Sequence, residues 1–114
     1  MKVNRFEEII AWQKARDLTK VIYRIFSKMR DFGFRDQIQR ATLSIMNNIA
    51  EGFERKGNKE FKNFLFIAKG SCAEVRSMLY TAFDLAYISQ SQLNDLLART
   101  EEISRVLSGF IKTL

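Results

Sequence analysis

The sequence predicts an all-α protein, an antiparallel up-down-up-down four-helix bundle. Three observations carry that reading. Apolar residues recur at i, i+3, i+4 and i+7 through four successive segments. The breaks between segments are a few residues long and hold turn or cap residues, which favours antiparallel neighbours. The chain also contains no proline, and an internal proline would cost a helix about 3 kcal/mol.

The first segment is expected over about Glu7–Met29, where Ile9, Ala15, Leu18, Ile22, Ile25 and Met29 recur at helical spacing. Asp31-Phe32-Gly33 ends it, with Gly33 as the turn residue. The second segment covers about Phe34–Arg55. Gly57 suits the left-handed position after a helix, and Asn58 suits the N-cap of the next. The third runs from about Lys59 to Ile88, with Phe61, Leu65, Ala68, Cys72, Val75 and Leu79 on one side. The fourth opens on Ser89-Gln90-Ser91-Gln92, the S-x-x-Q capping box, in which hydroxyl and amide reciprocally satisfy free N–H groups. Leu93, Leu96, Leu97, Ile103, Leu107 and Phe110 continue it as an apolar stripe.

The stretch SIMNNIAEG, residues 44–52, places polar residues inside an apolar run. At about 100° per residue, Gln37, Arg40, Ser44, Asn48, Glu51 and Arg55 fall on one narrow line of the second helix. The apolar residues cover a much wider arc, about 200°, against the roughly 100° that one core-facing helix needs. Such an arc calls for a second apolar partner surface, which in a small bundle often means another subunit; a helix fully enclosed within a monomer is the alternative. The polar line reads as a solvated face or a hydrogen-bonded seam that sets helix register; a ligand or partner contact is the alternative.

One domain over 1–114 suits the length. The chain carries +6 with a pI near 9.7, a balance suited to nucleic acid or an anionic surface. The charge is uneven: residues 1–76 carry net +7 and 77–114 net −1, so the last third is not the anion-facing part. The opening MKVNRFEEII is not a signal peptide, and no apolar run approaches the roughly 18 residues of a membrane span. A single cysteine fits a reducing cytoplasm. No histidine is present, no P-loop or dinucleotide motif occurs, and no carboxylate-histidine set exists for a metal. The expectation is a non-enzyme without cofactor or metal, with Cys72 an inert core residue.

The string Q-I-Q-R-A-T-L-S-I-M-N-N-I-A-E-G (37–52) resembles a signature of the four-helix-bundle proteins encoded in 23S ribosomal RNA intervening sequences. F-L-F-I-A-K-G-S-C-A-E-V (64–75) resembles the same family's second signature, and A-W-Q-K-A (11–15) its first helix. Met46 and Ser27 stand where that family commonly has proline. The resemblance implies a homo-oligomer, a pentameric ring, with no established activity. Relatives include accessory proteins of diversity-generating retroelements, so it also implies RNA and a reverse transcriptase as partners. Carried over by motif, Arg40, Ser44, Asn48, Glu51 and Gly52 would face Gly70, Ser71 and Glu74 on the third helix. Gly52 and Gly70 would then allow close helix approach, and Arg40 would pair with Glu74.

Two basic clusters are the candidate anion sites. Arg16, Lys20, Arg24 and Lys28 repeat every four residues along the first helix, a ridge about 18 Å long that matches a phosphate track; a solvated face is the plain alternative. The second cluster is Arg55, Lys56, Lys59, Lys62, Lys69 and Arg76, of which the last three are spaced by seven on one side of the third helix with Phe66 between them. Cations around an aromatic suit single-strand stacking, or equally a subunit interface over which lysine stems lie. The functional expectation is a homo-oligomeric bundle that binds RNA or a nucleic-acid-associated partner without sequence specificity. The alternative is a protein-interaction scaffold with no nucleic-acid binding.

Overall fold

A computed structural model describes residues 2–114. A short 3-10 turn, Phe6–Glu8, leads into α1 (Ile10–Phe26), α2 (Phe32–Phe53), α3 (Asn58–Asp84) and α4 (Gln90–Lys112). Helices adjacent in sequence pack side by side, and α1 closes the square against α4. The diagonal pairs, α1 with α3 and α2 with α4, make no close backbone approach. The result is an elongated bundle, 43 × 22 × 19 Å. No helix is long and apolar enough to cross a membrane among the described residues.

Each helix sends its apolar stripe to one axis. Leu18, Ile22 and Phe26 of α1, Ile38, Ile45 and Ile49 of α2, Leu65, Val75 and Leu79 of α3, and Leu96, Ile103 and Leu107 of α4 are almost fully buried. The wide apolar arc of α2 is accounted for inside the chain, because α2 packs on both α1 and α3. Met46, on its α1 side, lies 3.6 Å from the Thr19 hydroxyl. The arc therefore does not by itself require a second subunit.

The element ends differ from the sequence expectation for local reasons. The first helix begins at Ile10 rather than Glu7, because Ile9 holds an extended backbone (φ −74°, ψ 122°) that separates it from the preceding turn. Phe6 folds back edge-on to Trp12, with ring centroids 5.3 Å apart. That helix stops at Phe26, short of Met29. Gly33 is not a turn residue: it lies in the first turn of α2, which Asp31 caps by accepting the Phe34 N–H at 3.2 Å. Gly57 does adopt a positive φ of 87°, but it stands immediately before α3, and Asn58 is the first helical residue rather than its cap. Ser89 caps α4 as the sequence indicates, with both halves of the capping box formed.

The third helix ends at Asp84, not Ile88, through a Schellman turn. Tyr87 N–H donates to the Ala82 carbonyl at 2.8 Å and Ala86 N–H to that of Phe83 at 3.0 Å. This turn needs a left-handed residue, and Ala86 fills that position at φ 62°. An alanine there pays a steric penalty that glycine avoids. Ala86→Gly is expected to raise the unfolding free energy by about 1 kcal/mol, read from a urea melt.

The same end of the bundle is tied by Tyr87, whose hydroxyl donates to Asp31 at 2.7 Å. That bond first, and the Phe34 N–H second, hold the Asp31 carboxyl below its ordinary range. A depressed carboxyl adds stability above its unfolded value, near about 3.9, and loses it as pH falls through the folded value. Tyr87→Phe is expected to lower the melting temperature at neutral pH. The gap to the parent chain should close as the pH is taken below about 4, since protonated Asp31 no longer gains from the bond.

Candidate nucleic-acid interface and the helix seam

The polar line of α2 faces α3. Asn48 Nδ2 donates to the Ser44 hydroxyl at 2.9 Å and to the Ser44 carbonyl at 2.8 Å. The Ser44 and Ser71 hydroxyls lie 2.9 Å apart, and Ser71 donates to the Ile67 carbonyl at 3.2 Å. Each hydroxyl has one proton, so Ser44 is the donor to Ser71 and the bonds run in one direction from Asn48 to Ile67. Gln37 extends the seam to Glu74 at 3.5 Å, and Glu51 pairs at 3.2 Å with Arg55, just past the end of α2. The Arg55 guanidinium lies over the Phe64 ring, 5.0 Å from its centroid.

Two of the expected seam contacts are absent. Arg40 and Glu74 are both exposed and line an open groove, but form no ion pair; Glu74 takes Gln37 instead. The two glycines also differ. A Cβ on Gly52 would sit 2.5 Å from the Phe64 Cβ, so close approach there is real. A Cβ on Gly70 would meet nothing within 4 Å, because Gly70 faces outward. Helical phase explains this: Ser71 and Glu74 lie on the α2 flank of α3, and Gly70 one step round from them.

The first-helix cations share one outward face. Thr19 reaches α2 and Lys14 pairs with Glu102 of α4 at 3.1 Å, and Arg16, Lys20 and Arg24 lie between those flanks, all exposed. Lys28 is exposed too but lies beyond the end of α1. Only Lys20 has a carboxylate near, Asp17 at 3.8 Å, while the Arg16 guanidinium rests 5.7 Å from the Trp12 ring centre. Tyr23, 38% exposed, adds an aromatic edge to this face.

The second cluster is on α3. Lys59 is exposed; Lys62, Lys69 and Arg76 are half-buried on the flank away from α2. Phe66 protrudes beside them at 56% exposure. Tyr80, 51% exposed on the same flank, is a residue sequence reasoning passed over. Its signal was the continuation of the alternating four-and-three spacing from Phe66 through Ala73. The two basic clusters lie on α1 and α3, the diagonal helices of the square, which make no close backbone approach.

No cluster of three or more potential metal ligands occurs among the described residues. Cys72 is buried, and burial pushes its thiol up to about 12, so it is not a thiolate at neutral pH.

Comparison with known proteins agrees with this architecture. A protein of unknown function from the S23 ribosomal protein family of Bacteroides thetaiotaomicron superposes with a TM-score of 0.84 at 25% identity, covering 90% of this chain and 99% of that one. No curated protein matches the chain. The family model described as 23S rRNA-intervening sequence protein matches residues 7–109. With four helices in a closed square and that match across nearly its whole length, the chain belongs to the 23S rRNA-intervening sequence protein family.

Proposed function

We propose that the protein is a non-enzymatic, self-associating bundle that binds RNA through its cationic faces. The observation that carries the reading is the first-helix ridge: Arg16, Lys20 and Arg24 share one exposed face and only Lys20 has a carboxylate partner. Four-residue spacing of like charges disfavours a helix by a few tenths of a kcal/mol per pair. A row of exposed cations kept at that cost, with Asp17 the one carboxylate near it among the described residues, suits an external anion. Phosphate neutralisation gives affinity without sequence selection. On this reading the partners are further copies of the chain, in the pentameric ring that the family resemblance suggests, then RNA, and by the same resemblance a reverse transcriptase.

The test is RNA-binding anisotropy across a salt series, with the parent chain set against a variant in which Arg16, Lys20, Arg24 and Lys28 are all glutamine. The parent's affinity should fall steeply with salt. The variant's log–log slope should be shallower by about 0.7–0.9 for each phosphate contact removed. No binding by the parent at low salt overturns the RNA reading. A native mass spectrum holding only the 13.3 kDa species overturns self-association.

A second reading, a scaffold for protein partners, draws on the far end of the bundle. Phe32 is 60% exposed and Leu85 51% exposed near the Tyr87–Asp31 bond. Isolated surface hydrophobes are common, so this reading ranks second.

A further inference from the structure

Six residues of α3 form one ladder: Lys62, Phe66, Lys69, Ala73, Arg76 and Tyr80, at steps of four, three, four, three and four. That alternation keeps them on a single stripe of the helix, cation and ring or small residue by turns. The stripe lies on the flank away from the Ser44–Ser71 seam. Phe66 is 56% and Tyr80 51% exposed, and neither ring stacks on another aromatic among the described residues. Lys62, Lys69 and Arg76 are half-buried and form no ion pair among those residues. The Nε of Arg76 is buried without a hydrogen-bond partner.

The charge decides between occupants. The six rungs hold three cations and no acid, so a two-fold dimer through this stripe would set cation against cation. An anionic occupant matches that charge. A duplex meets the lysines with its phosphates but keeps its bases stacked inside, leaving Phe66 and Tyr80 without partners. An unpaired strand offers phosphates and free base faces together. Phe66 and Tyr80 are 14 residues apart, about 21 Å along the helix, with the small Ala73 midway so that the strand can lie close.

We infer that the α3 ladder binds single-stranded RNA, with Phe66 and Tyr80 stacking on bases and Lys62, Lys69 and Arg76 holding the intervening phosphates. This deepens the RNA reading and rests on it. It also separates the two basic faces, leaving the α1 ridge as a plain phosphate track on the helix diagonal to α3.

The experiment compares a labelled single strand of roughly 12 nucleotides, without self-complementarity, with its RNA duplex. Proteins are the parent, the Phe66→Ala/Tyr80→Ala double variant, and the Lys62→Gln/Lys69→Gln/Arg76→Gln triple variant. Both rings are exposed, so the variants should keep the helical circular dichroism of the parent. The double variant should bind the single strand at least about tenfold more weakly, since each base–ring stack is worth about that much or more. Its duplex affinity should stay within about twofold, because the α1 ridge is intact. In a Trp12→Phe background, Phe66→Trp emission should be quenched on adding the single strand.

Unchanged single-strand affinity in the double variant overturns the inference, as does an equal loss on strand and duplex. Loss only in the triple variant overturns stacking and leaves a simple electrostatic track. A parent that binds duplex but not single strand overturns the ladder and leaves the RNA reading standing. A parent that binds neither overturns both, and makes an acidic protein surface the occupant.

Discussion

Gly52→Ala is expected to lower the unfolding free energy by about 2–3 kcal/mol, although alanine is the better helix former. The added Cβ would lie 2.5 Å from the Phe64 Cβ, 3.1 Å from Phe61 Cδ1 and 3.2 Å from Phe64 Cγ. The closest of these is the decisive one. A Cβ is fixed by its own backbone, so no rotamer change moves it aside, and relief requires α2 and α3 to separate. Phe64→Ala keeps that Cβ and so should not rescue the variant. Separation would also stretch the Ser44–Ser71 bond two turns away, at 2.9 Å. Gly70→Ala and Gly109→Ala are the controls: each new Cβ enters open space. Those two should gain about 0.5–1 kcal/mol from the lower entropy of the unfolded chain. A urea melt in which all three behave alike would mean that the helices do not approach at Gly52.

Much of the architecture was legible because helical periodicity and capping are local. The Ser89–Gln92 box needs only residues within one turn, and it sits where the sequence puts it. Gly33 misled because Asp31, two residues earlier, caps α2 first and carries the glycine into the helix. The end of α3 was read four residues late because its left-handed residue is Ala86, a type that carries no turn signal. The glycines of the two motifs show the deeper limit. Gly52 and Gly70 look equivalent along the chain, but which flank of a helix meets its neighbour is a property of the assembled square. The same holds for the cations. Spacing puts Arg16, Lys20 and Arg24 on one face and Lys62, Lys69 and Arg76 on another; only the assembled square shows that the two helices carrying them are diagonal and do not meet. Arg40 and Glu74 share a groove without pairing, because both side chains remain in solvent where a pair gains little.

Phe61→Ala is expected to lower the unfolding free energy by about 3–5 kcal/mol. Phe61 is 7% exposed and joins three helices at one end of the bundle. Its ring meets Phe53 of α2 edge-on at 5.8 Å and Phe110 of α4 at 5.5 Å, with interplanar angles of 78° and 89°. Edge-to-face pairs contribute about 0.5–1.5 kcal/mol beyond burial, so both pairs are lost together with the buried area. The site also borders an open apolar cavity of about 610 Å³ lined by Ile9, Phe53, Val106 and Phe110. Truncation would enlarge that space. Phe61→Leu keeps most of the volume and should lose only about 1–1.5 kcal/mol. Because Phe61 Cδ1 is also one of the atoms a Gly52 Cβ would strike, the two sites are coupled. The double variant Gly52→Ala/Phe61→Ala should fall short of the sum of the single losses by at least about 0.5 kcal/mol. Strict additivity would show that the Gly52 clash is with Phe64 alone. Neither substitution touches the α1 ridge or the α3 ladder, so RNA binding by the folded fraction should persist, which separates loss of the bundle from loss of its surface.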